Sequence, residues 1–188
     1  TGSGQGHWYV YHAGNTSAPE TDYLKLNENS ATADLATIWN DTAPTSTVFS
    51  IGTGIGVNEN TNLYICYAFA NIEGFSRFGS YIGNGNARGA PAIVGFKPAY
   101  VMIKKTTGTG GWVIYDSQRS PINEIDDQLF ADTTAAETTG SEELDFLSNG
   151  FKIRTTDSDV NTSSGNYIFA AFAEYPFGGD GVTPATAF

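Results

Sequence analysis

An internal repeat is the feature of this sequence that most restricts its fold. Residues 7–12 (HWYVYH) recur as residues 111–116 (GWVIYD), and residues 64–70 (YICYAFA) recur as residues 167–173 (YIFAAFA). Shorter matches lie between them in the same order, at an offset of about 103 that varies from 102 to 105. The variation falls in Gly-, Thr-, Asn- and Ser-rich stretches, as expected for loops that tolerate insertions. The chain is therefore predicted to contain two copies of one folding unit.

The two copies are unequal. Residues 75–105, which we call the leader segment, run directly into the second copy at Trp112. The first copy has no such segment, because residues 1–6 match only the loop 106–111. The predicted division is a first repeat, 1–74, that lacks its opening strands, a complete second repeat, 75–178, and a C-terminal tail, 179–188.

The predicted secondary structure is almost entirely β. Short runs of β-branched and aromatic residues are bounded by Gly, Asn, Asp, Pro or Ser, which is typical of strands and turns. Residues 100–105 are apolar on both faces, so we expect one face in a core and the other at least half covered. One short helical turn is an alternative within 134–146. The pattern predicts two tandem antiparallel β-sandwich or jelly-roll-like repeats. Predicted strands cover 8–12, 23–26, 48–51, 63–70, 92–94, 100–104, 112–115, 150–154 and 167–172.

Composition excludes several classes of function. The chain has 9 Lys and Arg against 20 Asp and Glu, a formal net charge of -11, so it repels nucleic acid and anionic membrane surfaces. No apolar run approaches the roughly 20 residues of a transmembrane helix, so membrane insertion is not expected. The single cysteine, Cys66, excludes an intrachain disulfide. Because it lies in an apolar run, we expect a buried, unreactive thiol.

The second copy carries an ordered series of motifs that resembles a known family. The series begins with residues 95–104 (GFKPAYVMIK) and 112–119 (WVIYDSQR), continues with 146–154 (FLSNGFKIR), and ends with 167–178 (YIFAAFAEYPFG). It resembles a repeat domain of tailed-bacteriophage structural proteins of marine and freshwater phages, of the tail-fibre-like or virion appendage kind. The resemblance implies a β-rich appendage protein, located on a virion or outside the cell, with no catalytic residue set.

No catalytic constellation stands out in the sequence. His7 and His12 are the only histidines, and neither is matched by a histidine in the second copy. A Ser-His-Asp triad or a His-metal site would need one of them. The paired acids at 126–127 and 142–143 are more typical of solvated loops than of a glycosidase pair. We therefore expect that this protein is not an enzyme.

Calcium is the one metal that the sequence brings into consideration, and no other cofactor is expected. Residues 155–161 offer oxygen ligands at alternating positions, with Asp157, Asp159 and Asn161 as the candidates. The spacing lacks the glycine and the terminal glutamate of an EF-hand loop. An Asx-rich turn is therefore favoured over a calcium site.

Aromatic side chains divide into a predicted core group and candidate anchors for a ligand or an interface. Trp39 has no aromatic counterpart in the second copy and lies beside polar loops, so it is the first candidate anchor. Tyr23 and Tyr81 follow it. Aromatic residues at aligned positions are expected to form the repeat core. These pairs are Trp8 and Trp112, Phe49 and Phe151, Tyr64 and Tyr167, and Phe69 and Phe172.

Two hypotheses of function follow. The first is a non-enzymatic structural protein, a repeat-containing subunit of a phage tail fibre, capsid appendage or extracellular filament, which self-associates through β-rich contacts. In this hypothesis a strand from another subunit covers the incomplete first repeat by β-augmentation, donated by the tail 179–188 or by residues outside this sequence. The alternative is a lectin-like module that binds host-surface glycans through exposed aromatic rings.

Overall fold

A computed structural model describes residues 6–89, 91–141 and 143–176. The predicted tail 179–188 lies outside the described residues. Short strands predominate, and the helices have a single turn each. The elements are β1 (Tyr9–Val10), β2 (Asp22–Lys25), β3 (Ala33–Asp34), α1 (Ala36–Trp39), α2 (Ile55–Asn58), β4 (Ser76–Ile82), β5 (Pro91–Ile93), β6 (Pro98–Lys105), β7 (Trp112–Asp116), β8 (Leu129–Phe130), β9 (Leu144–Leu147), β10 (Gly150–Ile153), α3 (Ser158–Asn161) and β11 (Asn166–Ala173).

The second repeat forms an antiparallel sandwich. Its larger sheet has the strand order β4-β11-β6-β7-β8, and its smaller sheet has the order β5-β10-β9. β11 is an interior strand of the larger sheet, where Phe169 lies opposite Gly79 of β4 and opposite Ile103 of β6. The all-β, sandwich-like fold class predicted from the sequence is confirmed.

The sandwich core lies between the two sheets of the second repeat. Val101 and Ile103 of β6 and Tyr167 of β11 point from the larger sheet toward Phe151 and Ile153 of β10. Alternate residues of each strand enter this core, as the two-residue period of a β-strand requires. Each fully buried side chain of this size contributes about 1.5–3 kcal/mol relative to exposure.

The first repeat contributes a small sheet, β1-β2-β3, that covers the outer face of the larger sheet. Leu24 of β2 is buried against Trp112 of β7 and Ile168 of β11, and Met102 packs against this cluster. The indole Nε1 of Trp112 also donates to the Lys25 carbonyl at 2.8 Å. This arrangement explains the apolar residues on both faces of β6, because Ile103 and Met102 face different clusters.

Two strands predicted in the first repeat do not form. Residues 48–51 and 63–70 carry strand-like sequences, but neither is a strand in the structure. In the second repeat, the counterpart β11 pairs with β4 and β6, and the counterpart β10 pairs with β5 and β9; of these neighbours, β4, β5 and β6 belong to the leader segment. Without those neighbours the backbone groups have no ladder to join. The helical turn considered within 134–146 is also wrong, since the described residues of this range form no helix and β9 occupies its end.

Candidate assembly surface in the first repeat

The two repeats share hydrogen bonds at equivalent positions. The Tyr64 hydroxyl donates to the Ile55 carbonyl at 2.8 Å, and the Tyr167 hydroxyl donates to the Ser158 carbonyl at 2.8 Å. Ile55 begins α2 and Ser158 begins α3, so each tyrosine ties the start of a one-turn helix to the following segment. The repeat is therefore structural as well as sequential.

The same equivalence holds at the start of β1 and β7. The Trp8 amide donates to Asn27 Oδ1 at 3.0 Å, and the Trp112 amide donates to Asp132 Oδ1 at 2.8 Å. The pairing of Tyr9 with Lys25 repeats that of the corresponding residues of β7 and β8. The first repeat thus has the backbone of a unit whose neighbouring strands are missing.

The aligned aromatic residues differ sharply in burial. Phe151 and Tyr167 are fully buried in the sandwich core, and Trp112 is buried between the two repeats. Phe172 is half-buried. The first-repeat members were expected in a core, and this expectation is wrong. Among the described residues no leader strands cover Phe49, Tyr64 and Phe69, and nothing covers Trp8 as the first repeat covers Trp112. Their exposed fractions are 46% for Trp8, 48% for Phe49, 46% for Tyr64 and 64% for Phe69.

Residues 63–70, which we call the open segment, expose an apolar strand-like sequence. Ile65 is 71% exposed and Tyr67 is 67% exposed. Across the described residues, no backbone N–H of the open segment donates to another backbone group. It is held in place near its middle and at its C-terminal end, since Tyr67 stacks on Trp8 with ring centroids 6.2 Å apart and the Ala70 carbonyl accepts from Ser76 Oγ at 2.7 Å.

Cys66 lies in the open segment and is exposed. The expectation of a buried thiol is therefore wrong, although the residues next to Cys66 in the sequence are apolar. Phe169, at the aligned position in β11, is buried in the sandwich core. The difference again follows from the strands that flank β11 and are lacking beside the open segment.

An aromatic cluster connects the open segment to the second repeat. The Phe69 ring lies 5.9 Å from Phe78 of β4 and 5.8 Å from Phe172 of β11, between ring centroids. Phe172 also meets Tyr100 of β6 edge-on at 5.9 Å. Edge-to-face pairs of this kind add about 0.5–1.5 kcal/mol beyond area burial. These contacts anchor the open segment to the second repeat near its C-terminal end, at Phe69.

Trp39 and Tyr23, two of the candidate anchors, are packed within the first repeat. Trp39 Nε1 donates to the Asp22 carbonyl at 3.0 Å, and its ring meets Tyr11 edge-on at 6.1 Å. Tyr23 meets Tyr9 edge-on at 5.3 Å. Both rings are half-buried. They do not share a platform with the open segment, so neither supplies a flat exposed surface for a sugar ring.

Tyr81, the third candidate anchor, belongs to the sandwich core. Its ring stacks on Tyr167 at 5.0 Å, and its hydroxyl donates to the Val160 carbonyl at 2.7 Å. Burial raises the pKa of Tyr81 well above its usual range, with Tyr167 and Glu143 adding to the effect. The structure therefore places this residue where it joins the leader segment to α3, not at a ligand-binding surface.

The calcium candidates have structural roles at α3. Asp157 is the N-cap residue, and its Oδ1 accepts from the Asp159 amide at 2.7 Å. Asn161 Oδ1 accepts from the Asn84 amide at 2.9 Å, so this oxygen is already engaged. Among the described residues, no group of three His, Cys, Asp or Glu side chains is placed to hold a metal ion. The cluster is accounted for as a capped turn.

Lys104 is a buried lysine at the junction of the repeats, and sequence reasoning missed it. Its Nζ donates to the carbonyls of Asn29 at 3.1 Å and Gly110 at 2.5 Å. Burial lowers the pKa of Lys104 to about 8, against the opposing effect of Asp132 and Asp159. The sequence did carry a signal for this burial. Lys104 lies two residues after Met102 in β6, so both side chains are on the outward face of the strand, which the first repeat covers.

Together the fold and this surface define an all-β repeat protein, in which one sandwich carries a second, smaller unit with an exposed strand-like segment. The chain belongs to the family described as Domain of unknown function (DUF7483), whose model matches residues 2–176 and so spans both repeats. No curated protein and no solved structure shows significant similarity to the chain. Within the described ranges, no helix is long and apolar enough to cross a membrane.

Proposed function

We propose that this chain is a non-enzymatic structural subunit, which assembles through the open segment into a β-rich appendage. The resemblance of its ordered motifs to tailed-phage appendage repeats supports a role in a tail fibre, capsid appendage or related extracellular filament. The virion or extracellular location belongs to the same proposal.

The exposed open segment carries this proposal. Apolar residues of a strand-like sequence are costly to leave in water, and contiguous exposed apolar patches mark interaction sites. Leu63 is fully exposed, and Ile65 and Tyr67 are mostly exposed. The low proportion of charged residues, 15% of the chain, lowers the cost of desolvating subunit contacts.

Assembly of the purified chain tests the proposal. Mass by light scattering and negative-stain electron microscopy would measure its oligomeric state, and we expect oligomers or filaments. The variant Ile65→Ser removes an exposed apolar side chain of the open segment, so it should shift the chain toward monomers without loss of folding.

Ile122→Ser is the matched control, because Ile122 is 78% exposed but lies in the second repeat, away from the open segment. It should assemble like the unchanged chain. A chain that stays monomeric at every concentration, or that assembles equally well with Ile65→Ser, would contradict the proposal.

A further inference from the structure

We propose that the open segment is the acceptor for a basic leader-type segment from outside residues 1–188, which adds an antiparallel strand on each of its sides. This inference rests on the proposed function and deepens it by naming the chemistry and register of the partner. By a leader-type segment we mean one with the strand pattern and charge of residues 75–105.

The role of the leader segment in the second repeat is the first argument. It supplies both neighbours of β11, namely β4 and β6, along almost the whole length of that strand. The open segment, YICYAFA over residues 64–70, is identical to β11, YIFAAFA over 167–173, at five of seven positions. A segment with the sequence of a strand that takes two neighbours is suited to take the same two.

The contacts between the leader segment and α3 are the second argument. Asn161 Nδ2 donates to the Asn86 carbonyl at 2.8 Å, and the Asn161 carbonyl accepts from the Gly85 amide at 3.0 Å. The Tyr81 hydroxyl reaches the carbonyl of Val160. The first repeat has Val57 and Asn58 at the equivalent positions of α2, in the same one-turn helix. It therefore presents the same groups to an incoming leader.

Charge complementarity is the third argument, and it selects the kind of partner. The leader segment contains five Lys and Arg residues and no Asp or Glu. Residues 1–74 contain seven Asp and Glu residues and only one base, Lys25. A basic strand segment is therefore attracted to the first repeat, whereas the tail 179–188, with one acid and no base, gains nothing from this field.

Copies of residues 1–188 can associate through the apolar side chains of the open segment, but they cannot all donate a leader segment to one another. Each copy brings one leader segment and two units that need one, the first repeat and the second. If one copy donated its leader segment to the first repeat of another, the second repeat of the donor would lose its own leader segment. A leader-type segment from outside residues 1–188 closes the first repeat without opening the second.

The repeat also fixes the expected register. Phe169 lies opposite Ile103 in the pairing of β11 with β6, and Cys66 aligns with Phe169. The residue equivalent to Ile103 in a bound leader should therefore lie opposite Cys66. Its neighbour, equivalent to Met102, should point to the other face of the sheet.

A synthetic peptide of residues 75–105 is the probe for this acceptor. Cys66 is the only cysteine of the chain, so its reaction with a maleimide reports on the open segment alone. Peptide in excess should bury the thiol and slow its modification by about tenfold or more. The same peptide with Ile103→Pro is the matched control, because proline removes a ladder donor, and it should not protect.

Disulfide exchange tests the register. Peptides with Ile103→Cys or Met102→Cys, each carried as a mixed disulfide with thionitrobenzoate, would be added to the full chain. The Cys66 thiolate attacks the peptide sulfur, the new disulfide forms, and thionitrobenzoate leaves with the electron pair. The Ile103→Cys peptide should couple faster than the Met102→Cys peptide.

Equal maleimide rates with and without the peptide, or equal coupling of the two cysteine peptides, would overturn this inference. Light scattering of the chain without peptide separates the two proposals. A chain that assembles but is not protected by the peptide keeps the proposed function and loses the leader-type partner. A chain that is protected yet never assembles keeps the acceptor and loses the proposed structural role.

Discussion

Asn58 and Asn161 make the same side-chain hydrogen bond in very different surroundings. Asn58 Nδ2 donates to the Gly52 carbonyl at 3.0 Å, and Asn161 Nδ2 donates to the Thr155 carbonyl at 2.7 Å. Asn161 is 2% exposed because the leader segment covers it, whereas Asn58 is exposed. The pair therefore offers one substitution at two levels of burial.

Replacement of each asparagine by alanine should have unequal effects on stability. Asn161→Ala removes three hydrogen bonds of a buried side chain, to the Asn84 amide and to the Asn86 and Thr155 carbonyls, so the free energy of unfolding should fall by about 2–4 kcal/mol. Asn58→Ala removes one part-buried hydrogen bond of an exposed residue and should cost less than about 1 kcal/mol. Urea denaturation followed by tryptophan fluorescence measures both, and similar losses would show that the two sites are equally covered.

The contact of Leu24 with Trp112 should hold the first repeat against the sandwich. Leu24→Ala opens a cavity in this buried cluster and should destabilise the chain by about 2–5 kcal/mol. Val48→Ala, at a position 63% exposed, is the control and should change stability by less than about 0.5 kcal/mol. Thermal unfolding would measure both. A neutral Leu24→Ala would mean that the first repeat does not pack on the larger sheet in solution.

Lys104 should make stability increase with pH. Its pKa is about 8 in the folded chain, against about 10.4 in an unfolded chain. Below pH 8 both states carry the proton, but above it the unfolded state binds more protons. The free energy of unfolding should therefore gain about 2 kcal/mol from this group between pH 7.5 and 9.5.

Lys104→Met should remove this pH dependence, and Lys105→Met, which leaves Lys104 intact, should retain it. Guanidinium denaturation at several pH values in this range measures the slope. An unchanged slope in Lys104→Met would assign the pH dependence to other groups.

Glu143 and Tyr115 form a buried pair in which the tyrosine hydroxyl donates to Glu143 Oε2 at 2.6 Å. Burial raises the pKa of Glu143, partly offset by this hydrogen bond, so the folded chain holds the proton to higher pH than the unfolded chain. The stability gained from that proton is present at low pH and is lost as pH rises through the folded pKa. Glu143→Gln should therefore be neutral or stabilising at pH 7.

Tyr115→Phe tests the other side of the pair, since it leaves the buried carboxylate without its donor. It should cost about 1–3 kcal/mol by chemical denaturation. Glu137→Gln, on the exposed surface, should have little effect on stability. A Glu143→Gln variant that is strongly destabilised at pH 7 would contradict the assigned environment of the carboxyl group.

The repeat alignment predicted much of the fold, because aligned residues make the same local contacts. The Tyr64 and Tyr167 bonds, and the shared register of β1 with β2 and β7 with β8, follow the alignment closely. Local sequence was sufficient there, since each contact lies within one unit. The short helices α2 and α3 were missed, because four residues are too few for a helical period to be visible.

Burial in the first repeat could not be predicted in the same way. The sequence of residues 63–70 is that of a central strand, but its burial depends on neighbours that the leader segment provides only to β11. The docking of Leu24 on Trp112 is likewise invisible to an alignment, which says nothing about how two units lie against each other. Lys104 follows from that docking, since its burial requires the first repeat.

The pairing of Ser76 with Phe172 has a mechanical consequence. The chain enters the second repeat at β4 and leaves it from β11, at the same end of two adjacent antiparallel strands. Tension applied between these two points would break the ladder one residue pair at a time, starting at this end, instead of loading all pairs together. Under load, such a unit would unfold gradually at low force, and the strands would pair again when the tension is released.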